Sequence, residues 1–198
     1  MKKPAVFIDR DGTINEQMGY INHLSRFVLL PGVFEAVRLL NNNGFLAIVI
    51  TNQSGVARGY FPVDLVFEVH DLMKNLFKEE GAVIDEIYFC PHHPQGIIPE
   101  YTCACDCRKP GTDLIDQALE SFDIDMFRSY SIGDRYSDME LGYRLGLKNI
   151  MVMTGYGAGE LKYLSPESGI KPTYIAEDLL SAVHWILEKE NAPGNKSA

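Results

Sequence analysis

A chain of 198 residues with 46% apolar composition can build one well-buried domain and is too short for two full-sized ones. Its formal net charge of −9 and pI near 5.0 exclude a general affinity for nucleic acid or anionic membrane, so an anionic ligand has to find a locally basic pocket. No apolar run approaches a membrane span, and the few apolar residues after Met1-Lys2-Lys3 are too few for a signal-peptide core, so a cytosolic protein is expected.

In chain order, the first element is Ala5-Val6-Phe7-Ile8, which reads as a short buried strand stopping at Asp9, with Gly12 available for the turn that follows. Asp9 and Asp11 therefore sit just past a strand's carboxyl end, where open parallel α/β sheets bind ligands. Two carboxylates so close are costly unless a proton or cation lies between them, and a divalent ion such as Mg2+ would resolve the repulsion. A polar loop over 15–30 ends at Pro31-Gly32. The helix after it has Val33, Val37 and Leu40 on one face and closes at Asn41-Asn42-Asn43-Gly44. A second strand, residues 47–50, runs into Thr51-Asn52-Gln53-Ser54-Gly55. A long helix after Pro62 turns Leu65, Val66, Val69, Leu72, Met73, Leu76 and Phe77 toward a core and stops at Gly81.

Residues 84–89 read as a third strand, leading into a loop that ends at Arg108-Lys109-Pro110-Gly111. A helix capped near Thr112 or Asp113 turns Leu114, Ile115, Ala118, Leu119 and Phe122 inward. A fourth strand at 130–132 precedes Gly133-Asp134-Arg135-Tyr136-Ser137-Asp138 and a short helix. A fifth strand at 150–153 precedes the glycine-rich stretch 155–159. Residues 174–176 read as a sixth strand and 178–190 as a final amphipathic helix holding Trp185, with 191–198 expected to be a disordered tail. Strands alternating with helices at this spacing imply an α/β fold: a mostly parallel, Rossmann-like sheet flanked by helices, one domain over 1–190.

All four cysteines lie in the loop after the third strand, where Cys90-Pro91-His92-His93-Pro94 is followed by Cys103-Ala104-Cys105-Asp106-Cys107. The loop is too long and too poor in apolar residues to order itself by packing. A structural Zn2+ held tetrahedrally by Cys90 and His92 with two of the three later cysteines would order it.

Four strand ends thus carry, in order, Asp9 and Asp11, then Thr51 and Asn52, then Lys109, then Asp134 with Asp138 nearby. This order resembles the haloacid-dehalogenase (HAD) superfamily of phosphohydrolases, whose motifs run Asp-x-Asp-x-Thr, Thr or Ser, Lys, and Gly-Asp-x-x-x-Asp, and the likeness spans residues 5 to 155. The resemblance implies Asp9 as nucleophile and Asp11 as general acid and base, with Thr51, Arg108 and Lys109 holding the phosphoryl oxygens. Asp9, Asp134 and the Asp11 backbone carbonyl are implied as Mg2+ ligands, and Asp138 as an outer carboxylate or helix cap. Phosphate monoesters are the substrates on which enzymes reach accelerations of up to ~10²¹, which explains a two-step route through an aspartyl-phosphate.

The cysteine loop narrows the likeness to the zinc-loop branch, whose members act on heptose bisphosphate or histidinol phosphate. By position the implied zinc ligands are Cys90, His92, Cys105 and Cys107, with Cys103 a departure from the pattern that leaves the choice between Cys103 and Cys105 open. Between Gly12 and Thr51 there is no room for the large cap domain that many superfamily members insert, so an open cleft is expected. Asn15, Gln17, Met18, Gly19, Tyr20, Thr51, Asn52, Gln53 and Ser54 are implied to line the substrate site with Arg58, Arg108, Lys109 and Arg135. Three arginines exceed the needs of one phosphate and point to a doubly anionic substrate, a sugar bisphosphate. The competing expectations are a histidinol-phosphate phosphatase and a non-catalytic zinc-binding adaptor, and nothing in the sequence demands more than a monomer.

Overall fold

A computed structural model describes residues 2–164 and 169–192. Six strands form one parallel sheet: β1 (Ala5–Ile8), β2 (Leu46–Asn52), β3 (Glu86–Cys90), β4 (Tyr130–Gly133), β5 (Lys148–Val152) and β6 (Tyr174–Ala176). Their order is β3-β2-β1-β4-β5-β6, so β1 is central and the chain winds outward from it in both directions. Every pairing is parallel, which places all carboxyl ends on one edge. Register pairs Ile8 with Val49 and with Ile132, so the residues just beyond these positions start from the same level of the sheet.

Alternation along β1 divides the core. Val6 and Ile8 pack with α1 (Val33–Asn42), α2 (Val63–Glu79) and the last helix; Ala5 and Phe7 face the opposite layer, with Leu114, Ile115 and Ala118 of α3 (Asp113–Ser121) and Leu141 of α4 (Tyr136–Arg144). A short α5 (Gly157–Tyr163) grows out of the glycine-rich stretch, and α6 (Leu179–Asn191) buries Leu179, Ala182, Val183 and Ile186. The expected architecture of a parallel sheet between helices is what the chain forms, with no inserted cap between Gly12 and Thr51.

Three local expectations are corrected. The third strand begins at Glu86, not at residue 84, because the Asp85 carboxylate accepts the Ala47 amide at 2.7 Å and so replaces the first rung of the ladder. Leu119 is 38% exposed, since it lies roughly a quarter turn from the centre of the Leu114, Ile115, Ala118 stripe and only one side of α3 meets the sheet. The expected tail begins later than residue 191, since Asn191 closes α6 and Ala192 caps it, and 193–198 lie outside the described residues.

Candidate active site

The backbone builds the site first. The Asp9 amide donates to the Ile132 carbonyl at 2.9 Å, extending the β1–β4 ladder one residue and fixing where the Asp9 side chain emerges. Gly12 then turns at φ +92°, a region L side chains rarely adopt, and any Cβ there would meet Asp134 Oδ2 at 2.1 Å. A Cβ on Gly155, at φ +56°, would meet the same oxygen at the same distance. The Tyr156 amide donates to Asp134 Oδ2 at 2.8 Å, while Oδ1 is buried with no protein partner.

Lys109 reaches this centre from the cysteine loop, pinned at both ends. Its backbone amide donates to the Asn52 side-chain oxygen at 3.0 Å, and the Asn52 amide returns a bond to the Lys109 carbonyl at 3.2 Å. Its ammonium donates to the Ile50 carbonyl at 2.9 Å and meets both Asp9 and Asp138 at 2.6 Å. Burial opposes its charge, but Asp138 and Asp9 outweigh burial and raise its pKa. Asp138 also accepts the Arg135 amide at 3.1 Å at the start of α4, so it caps the helix and holds the lysine at once.

Asp9, Asp134 and Asp138 place carboxylate oxygens within 4.8 Å of one another. Burial, then Asp9 and Asp138, push Asp134 up to about 8; burial, moderated by Lys109, pushes Asp9 up to about 6. A buried carboxylate cluster with an orphaned oxygen is the donor set a hard divalent cation such as Mg2+ requires. Asp11 points elsewhere. Its carboxylate accepts from Arg10 Nη2 at 2.8 and 2.9 Å, from Asn15 at 2.9 Å and from Gln53 at 2.8 Å. Burial works against its charge, yet Arg10 and these amides hold its pKa below the usual carboxylate value.

A second cluster joins Cys90, His92, Cys105 and Cys107. Sulfur–sulfur contacts run from 2.9 Å (Cys90–Cys107) through 3.2 Å (Cys105–Cys107) to 3.5 Å (Cys90–Cys105), and His92 Nδ1 lies 3.2 Å from the Cys107 sulfur. Burial pushes the Cys90 thiol up to about 11 and raises Cys107 as well. Three sulfurs and one imidazole nitrogen converging in this way suit a tetrahedral Zn2+. Cys103 is exposed and outside the cluster, so of the two residues left open it is Cys105 that joins the other three.

A cavity of about 400 Å³ opens over the carboxyl edge, lined by Asp9, Asp11, Gln17, Gly19, Tyr20, Thr51, Asn52, Gln53, Ser54, Arg58, Arg108, Lys109 and Arg135 among others. Two residues expected at the substrate do not line it. Asn15 is fully buried behind Asp11, its amide bonded there and to the Glu16 carbonyl, and Met18 is half-buried outside the lining. Ser137 and Tyr156, which sequence reasoning passed over, do line it, with the Arg135 guanidinium 4.1 Å above the Tyr156 ring. The signal for Tyr156 was its place in a glycine-rich turn after a strand.

Three kinds of comparison bear on this site. A family model described as HAD-hydrolase-like matches residues 106–182. The D-glycero-D-manno-heptose-1,7-bisphosphate 7-phosphatase of Thermosynechococcus vestitus is 41% identical over 190 residues, covering 94% of this chain and 96% of that one. The chain belongs to the heptose-bisphosphate phosphatase family of HAD-like hydrolases. Another member, the D-glycero-beta-D-manno-heptose-1,7-bisphosphate 7-phosphatase of Escherichia coli K12, is 40% identical over 178 residues, 89% of this chain and 90% of its own. Among solved structures, the family's D,D-heptose 1,7-bisphosphate phosphatase from B. bronchiseptica, complexed with magnesium and phosphate, superimposes with a TM-score of 0.82 at 28% identity, covering 96% of this chain and 99% of that one.

Proposed function

We propose that this chain is a cytosolic, Mg2+-dependent phosphatase that removes the C7 phosphate of D-glycero-D-manno-heptose 1,7-bisphosphate, in bacterial synthesis of nucleotide-activated heptose. The observation that carries the reading is the charge of a single cavity. Four cations, Arg58, Arg108, Lys109 and Arg135, line it beside three carboxylates, Asp9, Asp11 and Asp138, and those carboxylates are already engaged by Lys109 and Arg10, which leaves the arginine charge for a ligand. In a protein of net charge −9, that concentration suits a ligand with two phosphates. The names of the curated relatives support the same substrate.

In the first half-reaction Asp9 attacks phosphorus in line, the bond to the C7 oxygen breaks, and Asp11 gives its proton to the departing alkoxide. Lys109 and Thr51, both buried and lining the cavity with Asp9, hold the equatorial oxygens through the charge redistribution. Magnesium, held by Asp9, Asp134 and the Asp11 carbonyl, would supply neutralisation of the phosphoryl charge. In the second half Asp11 takes a proton from water, whose oxygen attacks phosphorus and frees Asp9. The ionised state of Asp11 in the free protein suits that second half; a dianionic phosphate beside Asp9 drives its pKa upward, toward the acid the first half requires.

Zinc would do no chemistry, since Cys90, His92, Cys105 and Cys107 fill a tetrahedron and leave no position for water. It would fix the segment from which Arg108 and Lys109 project. A histidinol-phosphate phosphatase would have to receive an ammonium group, and the cationic lining disfavours one. The test is a phosphate-release screen with Mg2+ over both heptose bisphosphate anomers and histidinol phosphate. Preference for the bisphosphate is expected. Preference for histidinol phosphate overturns the substrate, and no release from any sugar phosphate would favour the adaptor.

A further inference from the structure

Arg10 is 2% exposed and does not line the cavity, yet most of its hydrogen-bonding capacity is aimed at the site. Nη2 donates to both oxygens of Asp11, at 2.9 and 2.8 Å, and Nε lies 3.3 Å from Oδ1. The remaining nitrogen, Nη1, lies 3.1 Å from Nε2 of His70, sixty positions away on α2. His70 is itself buried, 6% exposed, on the same helix face as Val66, Val69, Met73 and Phe77, and its ring meets Phe89 edge-on at 5.5 Å.

We infer that Arg10 and His70 form a positioning pair that sets the Asp11 carboxylate at the angle required for proton transfer. The inference rests on the proposed role of Asp11 as acid and base.

A guanidinium has only N–H donors, so the bond from Nη1 requires His70 to present an unprotonated Nε2. Burial and the Arg10 charge keep the imidazole in that neutral form. With the ring packed against Phe89 and the interior face of α2, its acceptor is fixed in space, and the planar guanidinium is fixed by it. The fork then has one orientation left for the carboxylate it grips. Asn15 and Gln53 complete the grip, one on each oxygen. The consequence is visible in the carboxylates. Asp9, Asp134 and Asp138 converge on one point, whereas Asp11, only two residues from Asp9, is held out of that group. A fourth carboxylate free to swing toward a cation would be lost as a proton carrier; the Arg10 fork prevents that swing.

Neither residue touches substrate, so the predicted signature is a loss in kcat at nearly unchanged KM. His70→Leu keeps most of the apolar packing and removes the acceptor; kcat should fall about 10-fold, part of the ~10²–10⁴ that general acid–base catalysis supplies. His70→Gln, whose amide oxygen can accept from Nη1, should restore most of it. In an Asp11→Asn background, His70→Leu should cost nothing further, because its effect passes through Asp11. Melting curves establish that each variant is folded, and Arg10→Lys, which keeps the charge and loses the fork, serves as the second probe should His70→Leu not fold. Wild-type kcat in folded His70→Leu or Arg10→Lys, equal losses in His70→Leu and His70→Gln, or an undiminished His70→Leu loss in the Asp11→Asn background would each overturn the positioning pair. Full turnover in Asp11→Asn alone would instead sink the role of Asp11 itself.

Discussion

Asp9 and Asp134 are buried acids whose charged forms the free protein tolerates poorly, with pKa values pushed up to about 6 and about 8. Because the folded-state values exceed the ordinary 3.8, the native state binds more protons than the unfolded chain, and stability falls as pH rises. In magnesium-free buffer the melting temperature should therefore drop between pH about 4 and about 8. Added Mg2+ or Asp134→Asn should flatten that decline, and a profile that Mg2+ leaves unaltered would count against a cation among these carboxylates. Asp9→Asn should abolish turnover, by a factor of at least ~10³, while leaving a folded protein in which Lys109 still pairs with Asp138. At this scale the sequence was most legible where chemistry dictates residue type. Asp9, Thr51, Lys109 and Asp134 could be read from the order of their motifs along the chain together with the family resemblance that order carries, and the structure brings Asp9, Thr51 and Lys109 to one cavity with Asp134 buried beneath it. Arg10 and His70 were not legible. Arg10 stands at a motif position open to any residue, and the only hint of His70 was a titratable group on the apolar face of a helix.

Elements decide how closely those side chains are brought together. Gly12 and Gly155 let two turns press on Asp134, and the sequence showed the first as a turn without revealing what it approaches. Gly12→Ala should destabilise the fold by about 2 kcal/mol through its positive φ, and weaken Mg2+ affinity as well because the new methyl displaces Asp134. Thermal unfolding of the purified variant without Mg2+ reads the first effect, and a calorimetric magnesium titration reads the second. The cysteine loop was legible as a metal loop from its spacing, but three thiols competed for two places, and only the folded backbone separates exposed Cys103 from Cys105. Metal analysis should find about one equivalent of zinc in wild type and in Cys103→Ser, and much less in Cys105→Ser. Full zinc in Cys105→Ser would mean that the cluster is not the binding site, and equal loss in both serine variants would bring Cys103 into it. The start of β3 was misread for a related reason: periodicity sees the apolar residue at 84 and not the Asp85 carboxylate that occupies the first rung.

For the whole molecule, the alternation of strands and helices was enough to foretell a parallel sheet, since connections of this length leave few other ways to bury both faces of a strand such as β1. The order of the outer strands was not legible, because local patterning carries no information about which side of β1 the chain turns to next. If the arginines of the cavity serve a second phosphate, a heptose 7-phosphate lacking the C1 group should lose at least ~100-fold in kcat/KM, a loss that charge-assisted bidentate contacts would explain. An equal preference for mono- and bisphosphate in a side-by-side rate comparison would remove that role from Arg58, Arg108 and Arg135.

The same cationic cleft is set in an envelope of opposite sign, and this shapes how often an anion arrives at all. In dilute buffer, where the Debye length reaches about 30 Å, an approaching bisphosphate feels the repulsive whole; near 0.1 M, where it shrinks to about 10 Å, the distant acids fade and the mouth's attraction dominates. Encounter rates should consequently climb with added salt before they fall, a humped profile opposite to the monotonic decline of a uniformly steered pair.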